Sequence, residues 1–157
     1  MPLDDRIDHR CSILIVEDDA ELGELLRVAL ATEGYDVSIV GNGREALSRL
    51  RSTVHTCMII LDLGLPVMDG RQFRAAQLRD RSLAWIPVVV LSGAVDASRD
   101  ARELGARSFV RKPVDVDELR RALRNVGCST QVRTEQRQKA ESVFPAGSQP
   151  PTSQRDG

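Results

Sequence analysis

The chain has 157 residues, 41% of them hydrophobic and 29% charged, the profile of one globular domain with room for a tail. Lys and Arg number 22 against 23 for Asp and Glu, a formal charge of −1, so composition alone gives no reason to expect nucleic acid or an anionic membrane as partner. No apolar run approaches the roughly 18 residues of a membrane span, MPLDDRIDHR lacks the apolar core of a signal peptide, and Cys11, Cys57 and Cys128 form no CxxC pair; together these predict a protein of the reducing cytoplasm with no membrane insertion.

In chain order, residues 1–10 read as a flexible N-terminal extension, and the domain opens with the apolar strand CSILIV (11–16). The helical stretch AELGELLRVALATEG follows, where Leu22, Leu25, Leu26, Ala29 and Leu30 fall at i, i+3, i+4, i+7 and i+8 and predict one buried stripe. YDVSIV (35–40), TCMIIL (56–61), IPVVVL (86–91) and SFV (108–110) read as further strands, separated by the helical GREALSRLR, GRQFRAAQLRD and ASRDARELG. DVDELRRALRNVG closes the pattern with a stripe of Val116, Leu119, Ala122, Leu123 and Val126. Gly34, Gly105 and Gly127 stand where left-handed helix caps are expected. From Cys128 the sequence turns to Ser, Gln and Pro with little to bury, so residues 128–157 read as a disordered polar tail and 11–127 as the domain.

Strands that are apolar at consecutive positions are covered on both faces, and helices between them impose parallel crossovers. The fold class is therefore α/β, a (βα)5 doubly wound parallel sheet, for which the common flavodoxin-like order 2-1-3-4-5 is expected. Ligands of such sheets bind at the carboxyl ends of the strands, here between strands 1 and 3. Strand 1 ends in Glu17-Asp18-Asp19 and strand 3 in Asp62, so acids from distant segments converge on one crevice. Each has an ordinary alternative: Asp18 or Asp19 could cap the first helix, and Asp62 could begin a turn shaped by Pro66 and Gly70. Neither alternative accounts for their meeting. Clustered carboxylates repel unless a cation joins them, and an oxygen-only site suits Mg²⁺. Ser92 at the end of strand 4 and Lys112 after strand 5 add a hydroxyl and an ammonium, the groups a transferring phosphoryl needs around it.

ILIVEDD, LDLGLPVMDG, VVLSG and FVRKP stand in the order and spacing of the receiver domains of two-component response regulators, and the chain resembles that family over residues 12–126. The resemblance implies that Asp62 is the phosphoacceptor. It implies Mg²⁺ held by Asp18 directly, by Glu17 through water, by Asp62 and by the backbone carbonyl of Gly64. Ser92 and Lys112 would bind phosphoryl oxygens, Ser92 and Phe109 would form the switch, and Pro113 stands where the family has a cis peptide. The implied partners are a sensor histidine kinase or histidine phosphotransfer protein, and a downstream protein read through the helix 4–strand 5–helix 5 face. A signalling switch, not a turnover enzyme, is expected. Gly64 and Ala94 offer no polar side chain to orient water, which predicts slow self-dephosphorylation. The polar stretch after Gly127 is too short for an output domain and shows no DNA-binding pattern, so a stand-alone receiver without direct nucleic-acid contact is expected. A non-phosphorylated pseudo-receiver and a receiver fragment of a hybrid regulator are the alternatives. Arg120, Arg121 and Arg124 could meet an acidic partner or simply be solvated.

Overall fold

The computed structural model describes residues 10–52 and 55–127; the predicted extension, apart from Arg10, and the predicted tail lie outside the described residues. Among the described residues five strands, Ser12–Val16 (β1), Asp36–Val40 (β2), Met58–Asp62 (β3), Val88–Ser92 (β4) and Ser108–Arg111 (β5), alternate with five helices. These are Ala20–Ala31 (α1), Gly43–Ser52 (α2), Gly70–Arg79 (α3), Ala97–Glu103 (α4) and Val116–Val126 (α5). All strand pairs are parallel and the order is β2-β1-β3-β4-β5.

Alternation along each strand divides the core in two. Ile13 and Ile15, Met58 and Ile60, Val89 and Leu91, and Val110 pack with Leu26 and Leu30 of α1 and Leu119 and Leu123 of α5. Leu14 and Val16, Ile59 and Leu61, and Val88 and Val90 pack with Leu47, Leu50 and Phe73 on the other face, where Leu104 and Phe109 join them. β3 and β4 are buried at every position, as consecutive apolar residues require.

The stripe expected of α1 is narrower than the periodicity suggests. Gly23, Leu26 and Leu30 are buried, whereas Leu25 is 56% exposed, because the sheet edge covers only a strip of the helix and Leu25 lies just beyond it. Asp19, not Asp18, caps α1: its carboxylate accepts from the amides of Glu21 and Leu22 at 3.0 and 3.2 Å. Gly34, Gly105 and Gly127 all have positive φ. Cys11 is disulfide-bonded, which the cysteine spacing did not suggest, whereas Cys57 is a free thiol.

One buried polar pair is invisible to hydropathy. Arg74 donates to the carbonyls of Leu104 and Gly105 at 2.9 and 3.1 Å and to Gln77 at 2.7 Å; Gln77 in turn donates to the carbonyls of Leu83 and Ile86. Burial holds the Arg74 guanidinium below its ordinary pKa, and these carbonyls are what make its presence there tolerable. The pair ties α3 to the end of α4 and to the approach to β4.

Candidate functional site

Register decides which side chains meet. Val16 pairs with Leu61, so the next residues on the two strands, Glu17 and Asp62, emerge side by side. Parity decides the face: Glu17 continues the Ile13, Ile15 series, Asp62 the Met58, Ile60 series and Lys112 that of Val110, all toward α1 and α5. Ser92 continues the Val88, Val90 series toward the opposite face, which Phe109 also joins.

The contacts follow that division. Lys112 Nζ lies 3.2 Å from Asp62 Oδ2 and 3.1 Å from Glu17 Oε2. Asp62 Oδ1 accepts from the amide of Gly64 at 3.2 Å, and Glu17 Oε1 accepts from the amide of Asp19 at 3.2 Å. Glu17 and Asp62 are buried, and one carboxylate oxygen from each of Glu17, Asp18 and Asp62 lies within 4.8 Å of the others. Burial raises the Glu17 pKa above its ordinary value against the pull of Lys112. Burial also works against the Lys112 ammonium, but its hydrogen bond to Glu17 and the charge of Asp62 outweigh that and raise its pKa.

The donor set suits a hard cation. Glu17 Oε2 is buried without an aligned hydrogen-bond donor, although it is close to Lys112, so a lone pair is left for a ligand bond. Asp18, freed of helix capping by Asp19, is exposed beside it. Oxygen ligands alone, two of the acids buried and one open to water, match what Mg²⁺ takes.

On the other side of the cleft, Ser92 Oγ donates to Asp100 Oδ2 at 3.2 Å and accepts from the amide of Ala94 at 3.1 Å. Asp100 Oδ1 pairs with Arg71 Nη2 at 2.6 Å. Lys112 N donates to the Ser92 carbonyl at 2.9 Å, joining β4 and β5 beyond their ladder, and the Lys112–Pro113 bond is cis. Phe109 is half-buried against the α3 side of the core. Glu17, Asp18, Asp62, Ser92, Asp100 and Lys112 line one open cleft of about 510 Å³, and Phe109 is not among its lining residues. Arg71 and Asp100 belong to it although neither stands at a strand end; the parity of β4, which sends Ser92 toward α4, is the signal that points to them.

The model of the response regulator receiver domain matches residues 13–124. The chain belongs to the response regulator receiver family. Among curated proteins, this receiver domain is 34% identical over 112 residues to the DNA-binding response regulator MtrA of Mycolicibacterium paratuberculosis, covering 70% of the chain and 48% of that protein. The chain thus spans about half the length of the curated relatives it matches. Among solved structures it is 32% identical to the phosphorylated cyanobacterial phytochrome response regulator RcpA, with a TM-score of 0.61 over 70% of this chain and 86% of that one. Chemotaxis response regulator CheY4 of Vibrio cholerae matches at 25% identity and a TM-score of 0.66, over 73% of this chain and 99% of that one. Among the described residues, no helix of the receiver is long and apolar enough to cross a membrane.

Proposed function

We propose that the receiver is a phosphoacceptor in a His–Asp phosphorelay, with Asp62 as the group that is phosphorylated. The observation that carries this reading is the joint placement of a buried Asp62 against Lys112 on one side and the acids Glu17 and Asp18 on the other. Asp62 is the acid of the cluster that stands at the end of the central strand with Gly64, Leu63 and open cleft in front of it. Glu17, Asp18, Asp62 and the carbonyl of Gly64 would hold Mg²⁺, which when bound supplies charge neutralisation for the acids and for the incoming phosphoryl.

An oxygen of Asp62 attacks the phosphorus of a phosphohistidine on a sensor kinase or phosphotransfer protein. The P–O bond forms as the P–N bond breaks, and the released imidazole nitrogen takes a proton from solvent. Lys112, already charged and poised 3.2 Å from Asp62, pairs with a phosphoryl oxygen, and the Ser92 hydroxyl donates to another. Recruitment of Ser92 draws in the loop after β4 and lets Phe109 move, which biases the α4–β5–α5 surface toward a downstream protein. Gly64 and Ala94 place no polar side chain to orient a hydrolytic water, so the acyl phosphate is long-lived. On this reading the chain is a switch, not a turnover enzyme, acting in the cytoplasm, where a disulfide at Cys11 is open to reduction. A pseudo-receiver would have no reason to keep Asp62, Lys112, Ser92 and the acids together. RcpA, named as phosphorylated, gives precedent for the modification in a relative.

Borohydride converts an acyl phosphate to an alcohol, so peptide mapping after phosphorylation and reduction locates the acceptor. Homoserine at position 62 is expected; a reduced acid at any other position, with Asp62 intact, would refute the assignment.

A further inference from the structure

Ser92 has one hydroxyl proton, and in this structure it is spent on Asp100 Oδ2. The Ala94 amide donates to Ser92 Oγ, so the hydroxyl's acceptor side is in use as well. A hydroxyl donates a single hydrogen bond; it can serve the Asp100 carboxylate or a phosphoryl oxygen, not both. Asp100 is itself held. Its other oxygen pairs with Arg71 of α3 at 2.6 Å, and Arg71 also reaches Glu103, one turn further along α4, at 3.4 Å. The Asp100 side chain is 17% exposed, so its pairing is only partly screened.

We propose that Asp100 is a positioning residue that latches Ser92 in the unphosphorylated state, with Arg71 as the clasp that fixes Asp100. The proposal rests on the reading of Ser92 as a ligand of the phosphoryl group. A phosphoryl on Asp62 brings a charge near −2 into the cleft that Asp100 and Arg71 line. That charge repels the Asp100 carboxylate and attracts the Arg71 guanidinium, and it offers Ser92 a stronger acceptor. The charge that releases Ser92 also draws Arg71 from Asp100, and phosphorylation at the end of β3 becomes a loosened contact between α3 and α4.

The test is a double-mutant cycle read by the steady-state fraction of protein phosphorylated in Mg²⁺ and acetyl phosphate, with the decay rate after the donor is removed. Asp100→Ala frees the Ser92 proton, and the ratio of phosphorylated to unphosphorylated protein is expected to rise about three- to tenfold, the worth of one partly exposed hydrogen bond. Asp100→Asn keeps a carbonyl acceptor without the charge and falls between wild type and Asp100→Ala. Arg71→Ala, which unclasps Asp100 without removing it, shifts the ratio in the same direction by less. In a Ser92→Ala background the Asp100→Ala effect disappears. Thermal unfolding of each variant identifies any that do not fold, and Asp100→Asn carries the test if Asp100→Ala is one of them. An Asp100 variant that matches wild type, or an effect that persists without the Ser92 hydroxyl, overturns the latch. Loss of the adduct in Ser92→Ala with no change in either Asp100 variant overturns the latch alone. Ser92→Ala behaving as wild type overturns the reading of Ser92 together with it.

Discussion

Lys112 holds together a site that would otherwise repel itself. Its ammonium stands within 3.2 Å of two buried carboxylates, and replacing it leaves both without a cation. Lys112→Gln is expected to lower the unfolding free energy by about 1–3 kcal/mol in Mg²⁺-free urea denaturation, since a partner is lost from partly buried charges; an unchanged midpoint would contradict this. Val67 presents a different residue-scale effect. It is β-branched, 72% exposed, and has φ of 65° in the loop that follows Asp62, a conformation that costs a branched residue on the order of 1 kcal/mol. Val67→Asn should raise stability by about 1 kcal/mol, because Asn tolerates this region and little apolar burial is lost; a lower denaturation midpoint would argue against strain there. Glu17, Asp18, Asp62, Ser92 and Lys112 were legible in sequence because each ends or follows an apolar strand, so pattern alone marks its place. Arg71 and Asp100 were not, since a single charge on a polar helix looks like any solvated residue, and their pairing spans 29 positions. The two neighbouring acids at 18 and 19 were equivalent as letters; only backbone geometry assigns the cap to Asp19 and leaves Asp18 open.

At the scale of elements, strand parity organises the site: three charged groups fall on the α1/α5 side and the hydroxyl on the α3/α4 side. The alternation of parallel strands and helices could be read from apolar runs and helix spacing, whereas the strand order was the one common to such sheets. The exposure of Leu25 could not, because helical periodicity gives the direction of a buried stripe and not its width, which the sheet edge sets. Nor could the buried Arg74, whose compensating carbonyls come from Leu104 and Gly105, remote in sequence. Close packing of α3 on the loop after Asp62 gives the element-scale prediction. A Cβ at Gly70 would come within 2.5 Å of the Asp62 carbonyl oxygen and 2.7 Å of Leu63 Cα, whereas one at Gly64 would meet nothing within 4 Å. Gly70→Ala is therefore expected to cost about 1–3 kcal/mol and to slow phosphorylation by displacing the loop. Gly64→Ala should stay within about 0.5 kcal/mol of wild type. Equal effects of the two substitutions in chemical denaturation would show that α3 does not fix the loop.

For the molecule as a whole, the acidic cleft links folding to metal and pH. Glu17 has a raised pKa in the folded state, so the folded protein binds a proton there more readily than the unfolded chain does. Stability from this group is lost as pH rises from the ordinary glutamate value of 4.5 through the raised one. A bound cation requires the ionised form, so on the proposed reading Mg²⁺ would compensate that loss where it is largest. At a Mg²⁺ concentration 100 times Kd the gain is about 2.7 kcal/mol. Thermal unfolding should show this gain near neutral pH and its decline on acidification, starting above 4.5; a gain of equal size at every pH would exclude Glu17 from the metal site. The central claim is that Asp62 accepts a phosphoryl group, and intact mass after incubation with acetyl phosphate tests it most directly. One added phosphoryl is predicted in wild type with Mg²⁺, and none when Mg²⁺ is chelated or in Asp62→Asn. An unmodified wild type, or an adduct that survives in Asp62→Asn, would contradict the account.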